Sequence, residues 1–305
     1  MRILVTGGAG FIGSHIVEHF TGKAEIKVLD NLRSGYRKNL TGFDVDFIQG
    51  SITDTKAVEK AVKGVDYVFH LAAMISVPES MDLPAECVEI NTIGLLNVLR
   101  ASADAGVKKL CFSSSAAIYG DNPQVPKIET MLPEPKSPYA VTKLDGEYYC
   151  KMFTDEGWLN TACMRYFNVF GPRQDPGSQY AAAVPIFIHK AIRNEPITIF
   201  GDGQQTRDFV FVKDIAAANV YLATHDCPSG VYNVGYGKTI TITELAERII
   251  RLAGSKSAIN YAPVRAGDVK HSWAKVDKLF KAGFETQADF DSGLEKTIEF
   301  FKSKL

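Results

Sequence analysis

The chain has 305 residues, of which 46% are hydrophobic and 23% are charged, and its formal net charge at pH 7 is −1. This length and composition suffice to bury a full core in one large or two modest domains, which excludes a disordered chain. Because the charge is nearly balanced and no long block of like charges occurs, the sequence lacks the electrostatic features of a nucleic-acid or anionic-membrane binder. Any phosphate group must therefore be held locally.

Five cysteines are scattered along the chain without a CxxC spacing: Cys87, Cys111, Cys150, Cys163 and Cys227. This pattern predicts buried thiols in a reducing compartment rather than disulfides or zinc ligands, and no metal is expected. The opening residues MRILVTGG lack the layout of a signal peptide, and no apolar stretch approaches 20 residues. We therefore expect a cytoplasmic protein with neither a membrane nor a nucleic-acid partner.

Short apolar runs alternate with helical patterns in the first half of the chain. The runs are RILVT, IKVLD, VDFIQ, DYVFH and KLCFSSS. Such alternation predicts an α/β fold of the Rossmann type, with a doubly wound parallel sheet between helices. We place this domain at residues 1–167. Residues 168–305, rich in Gly, Pro, Asp and Arg, are expected to form a smaller mixed α/β domain that holds the substrate, interleaved with the first because residues 209–235 return to the sheet.

The stretch RILVTGGAGFIGSHIVEHF predicts a strand, a glycine-rich turn and an apolar helix. Gly7, Gly10 and Gly13 permit a tight turn, close approach of a diphosphate to backbone N–H groups, and close packing of helix on strand. Asp30 ends the next strand at the spacing expected for a carboxylate on an adenosine ribose, which favours NAD over NADP. A purely structural turn is the alternative, and the nearby Arg33 keeps NADP open.

His70 ends the fourth predicted strand, where a dinucleotide would lie. We interpret it as a residue that packs and positions the backbone, not as a catalyst.

The stretch SPYAVTK predicts the start of a helix, because Ser137 is a good N-cap and Pro138 suits the first helical position. Tyr139 and Lys143 are then four residues apart on one face. An ammonium about 4 Å from a phenol, at an effective dielectric near 20, is worth roughly 4 kcal/mol or about three pKa units. Lys143 is therefore predicted to make Tyr139 a usable base near pH 7; the alternative is a solvated helix surface.

Ser115, in FSSSAAIYG at the end of the fifth strand, is the hydroxyl expected beside Tyr139. Three serines at a strand end are otherwise typical of a turn.

Together, TGGAGFIG, HLAA, SSSAAIYG and YAVTK resemble the signatures of the extended short-chain dehydrogenase/reductases, most closely the UDP-glucose 4-epimerase group. The resemblance implies Ser115, Tyr139 and Lys143 as the catalytic set and NAD as the cofactor. The residues implied to bind it, besides Tyr139 and Lys143, are Gly7, Gly10, Phe11, Ile12, Gly13, Asp30, Asn31, Ser34, Gly35, Ser51, Ile52, Leu71, Ala72, Ala73 and Asn91. Ser51 stands where many relatives have an Asp, so the contact with adenine is expected to be weaker or rearranged.

The same resemblance implies that the second half binds a UDP-sugar. The substrate-binding residues that it implies, besides Ser115, are Asn168, Val184, Arg207, Arg265, Asp268 and Ser272. Two arginines on separate loops can neutralise a diphosphate, although loop arginines also commonly pair with surface acids. Ser272 is small where a large side chain would restrict the C2 substituent, so N-acetylated sugars are expected to fit.

Relatives that eliminate water or decarboxylate sugars carry an acid after the equivalent of Ser115, whereas this chain has Ala116 and Ala117. The expected activity is therefore NAD-dependent 4-epimerisation of UDP-glucose and UDP-galactose, with UDP-GlcNAc and UDP-GalNAc as further substrates. The alternatives are a UDP-glucuronate 4-epimerase, a nucleotide-sugar reductase or dehydrogenase, and a non-catalytic NAD-binding protein. By family analogy we expect a homodimer formed through helices near residues 84–106 and 138–156.

Overall fold

The structure, a computed structural model, describes residues 1–177, 182–264 and 269–304. In chain order the strands are β1 (Arg2–Thr6), β2 (Glu25–Asp30), β3 (Asp46–Gln49), β4 (Tyr67–His70), β5 (Lys109–Ser115), β6 (Thr161–Tyr166), β7 (Asn168–Phe170), β8 (Ile197–Phe200), β9 (Thr206–Arg207), β10 (Phe209–Phe211), β11 (Gly230–Val234), β12 (Ile240–Thr241), β13 (Ile259–Ala262) and β14 (His271–Ser272).

The helices, in the same order, are α1 (Phe11–Phe20), α2 (Thr55–Val62), α3 (Val77–Asp82), α4 (Pro84–Val88), α5 (Gly94–Asp104), α6 (Pro138–Asp155), α7 (Ala183–Ala191), α8 (Val212–Thr224), α9 (Ile242–Ala253), α10 (Asp277–Lys281) and α11 (Phe290–Lys302). Helices α4 and α5 are joined by one wider turn at Glu89–Ile93. Among the described residues, none of the helices combines the length and apolar character needed to cross a membrane.

Seven parallel strands form the central sheet, in the order β11-β6-β5-β4-β1-β2-β3. The predicted Rossmann-type sheet is confirmed, since β3 to β6 follow the dinucleotide-binding order and the strand order reverses between β1 and β4. The five runs predicted as strands are β1 to β5, each within one residue of its predicted start.

Helices cover both faces of this sheet because successive residues of a strand point to opposite sides. Ile3 and Val5 of β1 belong to the core that α1 and α8 cover. Leu4, between them, belongs to the core that α2, α5 and α6 cover. Both faces are therefore buried, which explains why the strands consist of nearly continuous apolar residues.

The second half of the chain forms three small sheets, β10-β7, β12-β9-β14 and β13-β8. Helices α7, α9 and α11 pack on a core of their own, to which Ile188, Leu245 and Leu294 contribute. Helix α9 starts with a capping box between Thr241 and Glu244 and ends at a left-handed Gly254. The smaller mixed α/β part expected from the sequence is therefore present.

The chain passes more than once between the two parts. Strand β10 pairs with β7, whereas α8 packs beside α1 and β11 joins the edge of the large sheet, where Val231 pairs with Cys163. Asp208 lies between β9 and β10, where the chain passes from the second part toward the large sheet.

Candidate active site

A cleft of about 630 Å³ opens at the carboxyl ends of the central strands. This is where doubly wound sheets bind ligands, outside the point at which the strand order reverses. Every residue implied to bind the cofactor lines this cleft except Asn91. The lining residues from that set are Gly7, Gly10, Phe11, Ile12, Gly13, Asp30, Asn31, Ser34, Gly35, Ser51, Ile52, Leu71, Ala72, Ala73, Tyr139 and Lys143.

The glycine-rich turn leaves room for a diphosphate because side chains are excluded from it. Gly7 has φ of +72°, and a Cβ there would lie 2.7 Å from the backbone N of Ala72. A Cβ on Gly13 would lie 2.2 Å from the carbonyl oxygen of Gly7. Gly10 is the N-cap of α1 and has no capping side chain, so the first N–H groups of the helix are open to an anion. The residues present therefore fit a dinucleotide.

Asp30 lines the cleft at the position predicted for a ribose contact. Its two carboxylate oxygens accept the backbone N–H groups of Ala9 at 2.9 Å and Leu32 at 2.8 Å. Burial raises the pKa of this carboxyl, and the two N–H donors oppose that effect. Each oxygen retains a lone pair for a ribose hydroxyl.

Arg33 lines the same end of the cleft but is paired with acids. Its guanidinium donates to Glu79 at 2.9 Å and to Glu86, and both carboxylates raise its pKa. The ion cluster of these three residues carries one net negative charge, to which Asp30 adds another. This arrangement disfavours a 2′-phosphate.

Two residues of the predicted cofactor set have unexpected partners. The hydroxyl of Ser51 lies 2.8 Å from that of Thr53, within the cleft. Asn91 is only 3% exposed and does not reach the cleft; its side chain accepts from the N–H of Met74 at 2.7 Å and donates to its carbonyl at 3.1 Å. Asn91 also donates to Thr142 at 3.0 Å, so it ties the segment after β4 to α6.

Helix α6 places Tyr139 and Lys143 on one face, as predicted. It begins at Pro138, and the hydroxyl of Ser137 accepts the N–H of Ala140 at 3.2 Å. The Nζ of Lys143 donates to the carbonyl oxygen of Ser113 at 2.8 Å and lies 5.7 Å from the ring centroid of Tyr139. Both side chains line the cleft, so the alternative of a solvated helix surface is wrong.

The predicted acidification of Tyr139 by Lys143 is not found in the protein's own groups. Burial raises the pKa of Tyr139, and only the hydrogen bond with Ser115 opposes it. Burial likewise lowers the pKa of Lys143 to about 8. The sequence argument was wrong on this point because it counted the attraction between the groups but not the desolvation of each.

Ser115 ends β5, and its hydroxyl also accepts the N–H of Ala117 at 3.1 Å, which caps the short helical turn Ala116–Tyr119. Ser115 is therefore a turn residue, and its role beside Tyr139 stays a prediction.

A buried ion pair beneath α6 has no obvious sequence signal. Glu147 of α6 accepts two hydrogen bonds from Arg165 of β6, at 2.8 Å and 2.7 Å, and one from Ser114 at 2.5 Å. The guanidinium also lies 4.8 Å from the ring centroid of Tyr119. This network fixes α6 against the strand that ends in Ser115.

His70 packs inside the sheet, as predicted. Its Nδ1 lies 2.9 Å from the hydroxyl of Thr6, and its ring stacks on Phe112. Burial lowers the pKa of His70 to about 3, so the imidazole is neutral.

The loop after β7 supplies cleft residues that the sequence reasoning missed. Arg173 lines the cleft with φ of +67° and pairs with His15 and Glu18 of α1. Asp175 accepts a hydrogen bond from the hydroxyl of Tyr36 at 2.7 Å, across the cleft. In the sequence, only their place in the loop-like stretch GPRQD pointed to Arg173 and Asp175.

Three of the residues implied to bind substrate meet near β9. Asn168 starts β7, Arg207 ends β9, and Ser272 lies beside Arg207 in β14. Arg207 donates to the carbonyl of Thr206 at 2.9 Å. The side chain of Val184 is buried in the second core, so only its backbone can face a ligand. Arg265 and Asp268 lie outside the described residues.

The model of the NAD dependent epimerase/dehydratase family matches residues 3–235, more than half of the chain. The chain belongs to this family. Among solved structures, it is 42% identical to the UDP-N-acetylglucosamine 4-epimerase of Methanobrevibacter ruminantium M1, solved in complex with UDP-N-acetylmuramic acid, with a TM-score of 0.96 over 100% of this chain and 99% of the other. It is 40% identical to the UDP-glucose 4-epimerase of Thermotoga maritima, solved with UDP-glucose, with a TM-score of 0.94 over 100% and 99%.

A third structure, the UDP-glucose 4-epimerase of Thermus thermophilus in complex with NAD, is 38% identical with a TM-score of 0.91 over the whole of both chains. As a member of this family the chain is an NAD-dependent enzyme, and the cleft described above has the residues to hold that cofactor.

Membership of the epimerase/dehydratase family leaves the reaction open, and the residues after Ser115 bear on it. Ala116 and Ala117 carry no ionisable group at the start of the short helical turn. A dehydratase needs an acid or base there to remove a proton from the carbon next to the oxidised one. Neither alanine can act as that acid or base.

Proposed function

We propose that this enzyme is a UDP-sugar 4-epimerase in which Tyr139 exchanges a proton with the 4-hydroxyl group of the substrate. The observation that carries the proposal is that Tyr139 and Lys143 line the same cleft as the glycine-rich turn and Asp30. A phenol, an ammonium and a dinucleotide site in one cleft are what reversible oxidation of a hydroxyl requires. The alanines at 116 and 117 favour epimerisation over elimination.

Bound NAD would supply a hydride acceptor and donor for C4 of the sugar. Tyr139 accepts the proton of the 4-hydroxyl, and the hydroxyl of Ser115 lowers the pKa of the phenol against the effect of burial. Lys143, fixed by the carbonyl of Ser113, places a positive charge beside that phenol and is positioned to hold a ribose. Burial leaves the phenol less acidic than catalysis needs, and the positive charge that an oxidised nicotinamide would bring to the cleft would offset this effect.

The second half of the chain must hold the UDP part while the 4-keto sugar rotates to present its other face. Asn168, Arg207 and Ser272 lie together at the junction of β7, β9 and β14 and are suited to this task. An arginine can bind a diphosphate through two parallel hydrogen bonds. Once the sugar presents its other face, the proton returns from Tyr139, and C4 is inverted with no net redox change.

We further propose that N-acetylated sugars are accepted beside UDP-glucose and UDP-galactose. Ser272 is a small, partly buried residue adjacent to Arg207, which leaves space near the sugar. The similarity to the UDP-N-acetylglucosamine 4-epimerase supports the same choice.

The proposal also includes a homodimer in which α6 and the α4–α5 segment pack against a second copy. Val141, Tyr148 and Met152 form one stripe on α6 and are 50%, 60% and 41% exposed. Val88 and Ile93 of the neighbouring segment are exposed as well. So many apolar side chains on two adjacent helices favour a protein contact.

The proposed function is tested by incubating the purified protein, without added NAD, with UDP-glucose, UDP-N-acetylglucosamine and UDP-glucuronate, and separating the C4 epimers. Interconversion of the first two at a constant nicotinamide absorbance is the expected result. A steady absorbance change when NAD or NADH is added would instead support a dehydrogenase or reductase. Conversion of UDP-glucuronate alone would support the uronate epimerase, and no conversion would leave a binding protein.

A further inference from the structure

Asp208 stands between β9 and β10 and is fully buried, with 0% exposure. Its backbone N–H donates to the carbonyl of Ser272 at 3.1 Å. Its carbonyl oxygen accepts both the backbone N–H of Asn168 at 3.1 Å and the side-chain amide of Asn168 at 2.9 Å. Arg207 directly precedes Asp208 in the chain. Asp208 is therefore bonded, covalently or by hydrogen bonds, to Asn168, Arg207 and Ser272, the three residues implied to bind substrate that meet near β9.

The carboxylate of Asp208 joins two further segments. Its Oδ1 accepts the N–H of Tyr236 at 2.7 Å, and its Oδ2 accepts those of Gly237 at 3.0 Å and Ala274 at 3.1 Å. Burial raises the pKa of this carboxyl to about 6 while the three donors oppose the shift, so it is ionised at neutral pH. A Cβ on Gly235 would lie 2.7 Å from Oδ2 and 2.9 Å from the Cβ of Ala274, so a side chain there would displace one of these groups.

The segment held through Ala274 continues to the catalytic side of the molecule. Lys127 donates its N–H to the carbonyl of Trp273 at 2.8 Å and accepts the N–H of Lys275 at 2.8 Å. Lys127 lies between Ser115 and Tyr139 in the chain and is itself buried. A continuous set of backbone hydrogen bonds therefore runs from Asp208 to the segment that joins the two catalytic residues.

We propose that Asp208 is a positioning residue that holds Asn168, Arg207 and Ser272 in register with the catalytic segment, so that UDP binding depends on its carboxylate. This inference rests on the proposed UDP-sugar site. A carboxylate suits the role because it only accepts hydrogen bonds, and the three groups that contact it are all backbone N–H donors. Coenzyme binding at the glycine-rich turn does not pass through Asp208.

The first test is the Asp208→Asn variant. The substitution keeps the shape of the side chain but turns an N–H₂ group toward one or two backbone N–H donors, so at least one buried hydrogen bond is lost. We expect UDP affinity to fall about tenfold or more, and KM for the UDP-sugar to rise by a similar factor. NAD affinity should remain within about twofold of the wild type.

Asp214 provides a matched control. It is also a buried carboxylate, at the start of α8, and it accepts the backbone N–H groups of Gln287 at 3.0 Å and Ala288 at 3.2 Å. Its pKa is raised by burial as well. Asp214→Asn should lower the thermal unfolding temperature as Asp208→Asn does, yet leave UDP affinity unchanged, because Asp214 joins α8 only to the segment before α11.

A milder second variant covers the case in which Asp208→Asn does not fold. Gly235→Ala retains the carboxylate but pushes a methyl group against Oδ2, and it should weaken UDP binding in the same direction. UDP and NAD are titrated calorimetrically into the wild type and each folded variant, and epimer formation is followed in parallel.

The outcomes separate this inference from the proposed function. If the wild type neither binds UDP nor interconverts epimers, the proposed function fails. If it does both, while Asp208→Asn and Gly235→Ala bind UDP as the wild type does, the role of Asp208 is refuted. The role of Asp208 is also refuted if Asp208→Asn loses as much affinity for NAD as for UDP. The same holds if Asp214→Asn loses as much UDP affinity as Asp208→Asn, because either result would mean that Asp208 only stabilises the fold.

Discussion

The ammonium group of Lys143 is held between two neighbours: it donates to the carbonyl of Ser113 at 2.8 Å and lies 5.7 Å from the ring centroid of Tyr139. The backbone contact fixes the charge beside the phenol before any ligand arrives. Burial nevertheless raises the pKa of Tyr139 and lowers that of Lys143 to about 8. For the proposed proton exchange, a further positive charge in the cleft would lower the pKa of the phenol again.

Tyr139→Phe removes the proton acceptor while preserving the ring. We expect turnover to fall about 100- to 10,000-fold, the usual contribution of a positioned acid–base group, with UDP affinity unchanged. Tyr148→Phe, on the exposed side of the same helix, is the control and should keep its turnover. Near-normal epimerisation by Tyr139→Phe, measured by separating the C4 epimers, would show that another group takes the proton.

Lys143→Met should make the protein more stable as well as less active. Shifting the pKa of Lys143 from 10.5 to about 8 implies that burying the charge costs about 3 kcal/mol, against which the hydrogen bond to Ser113 offsets about 1 kcal/mol. The variant should therefore gain about 2 kcal/mol at pH 7 in denaturant unfolding.

The gain of Lys143→Met has a defined pH window. Below pH 8 the lysine is charged in both the folded and unfolded states and the full cost applies, whereas it vanishes as pH rises from 8 to 10.5 and the unfolded chain also loses its proton. Lys151→Met, an exposed lysine on α6, should change stability by less than about 0.5 kcal/mol. A destabilised Lys143→Met at pH 7 would contradict the account.

Glu79 and Glu86 are predicted to exclude NADP by neutralising Arg33. In the double variant Glu79→Gln/Glu86→Gln, the guanidinium loses both carboxylates and can bind a 2′-phosphate, so NADP affinity should rise about tenfold or more. NAD affinity should change little because Asp30 is untouched. Adding Arg33→Ser to the double variant should abolish the gain in NADP affinity. If NADP affinity stays low in the double variant, Glu79 and Glu86 do not exclude NADP.

The exposed stripe on α6 predicts the assembly state. Tyr148→Glu/Met152→Glu places two like charges in the proposed contact and should convert a dimer to a monomer in light scattering. Phe280→Glu is the control, since Phe280 is 56% exposed but lies on α10. A wild type that is monomeric at all concentrations, or a double variant that remains dimeric, would rule out this interface.

Local patterns in the sequence predicted the fold and the coenzyme side of the site. The apolar runs of β1 to β5, the glycines before α1 and the Ser137–Pro138 start of α6 are each encoded within a few neighbouring residues. Because parallel strands bring their carboxyl ends to one edge, these signals also place Asp30, Tyr139 and Lys143 around one cleft.

What the sequence could not reveal depends on contacts between distant segments. The carboxylate of Asp208 meets residues 28 and 66 positions further along the chain, and Glu147 meets Arg165 through packing of α6 on β6. Asn91 was expected at the cofactor but is turned inward to Met74. The raised pKa of Tyr139 depends on how deeply the phenol is buried, which spacing alone does not determine.

The most direct test of the central claim follows the hydrogen at C4. UDP-glucose and UDP-N-acetylglucosamine carrying deuterium at C4 are incubated with the purified protein in ordinary water, and the separated epimers are analysed by mass and NMR. The account predicts that both epimers retain the deuterium at C4, because C4 would lose and regain it as a hydride that does not exchange with water. Loss of deuterium to solvent during epimerisation would show that C4 is inverted through a proton, and would contradict the account.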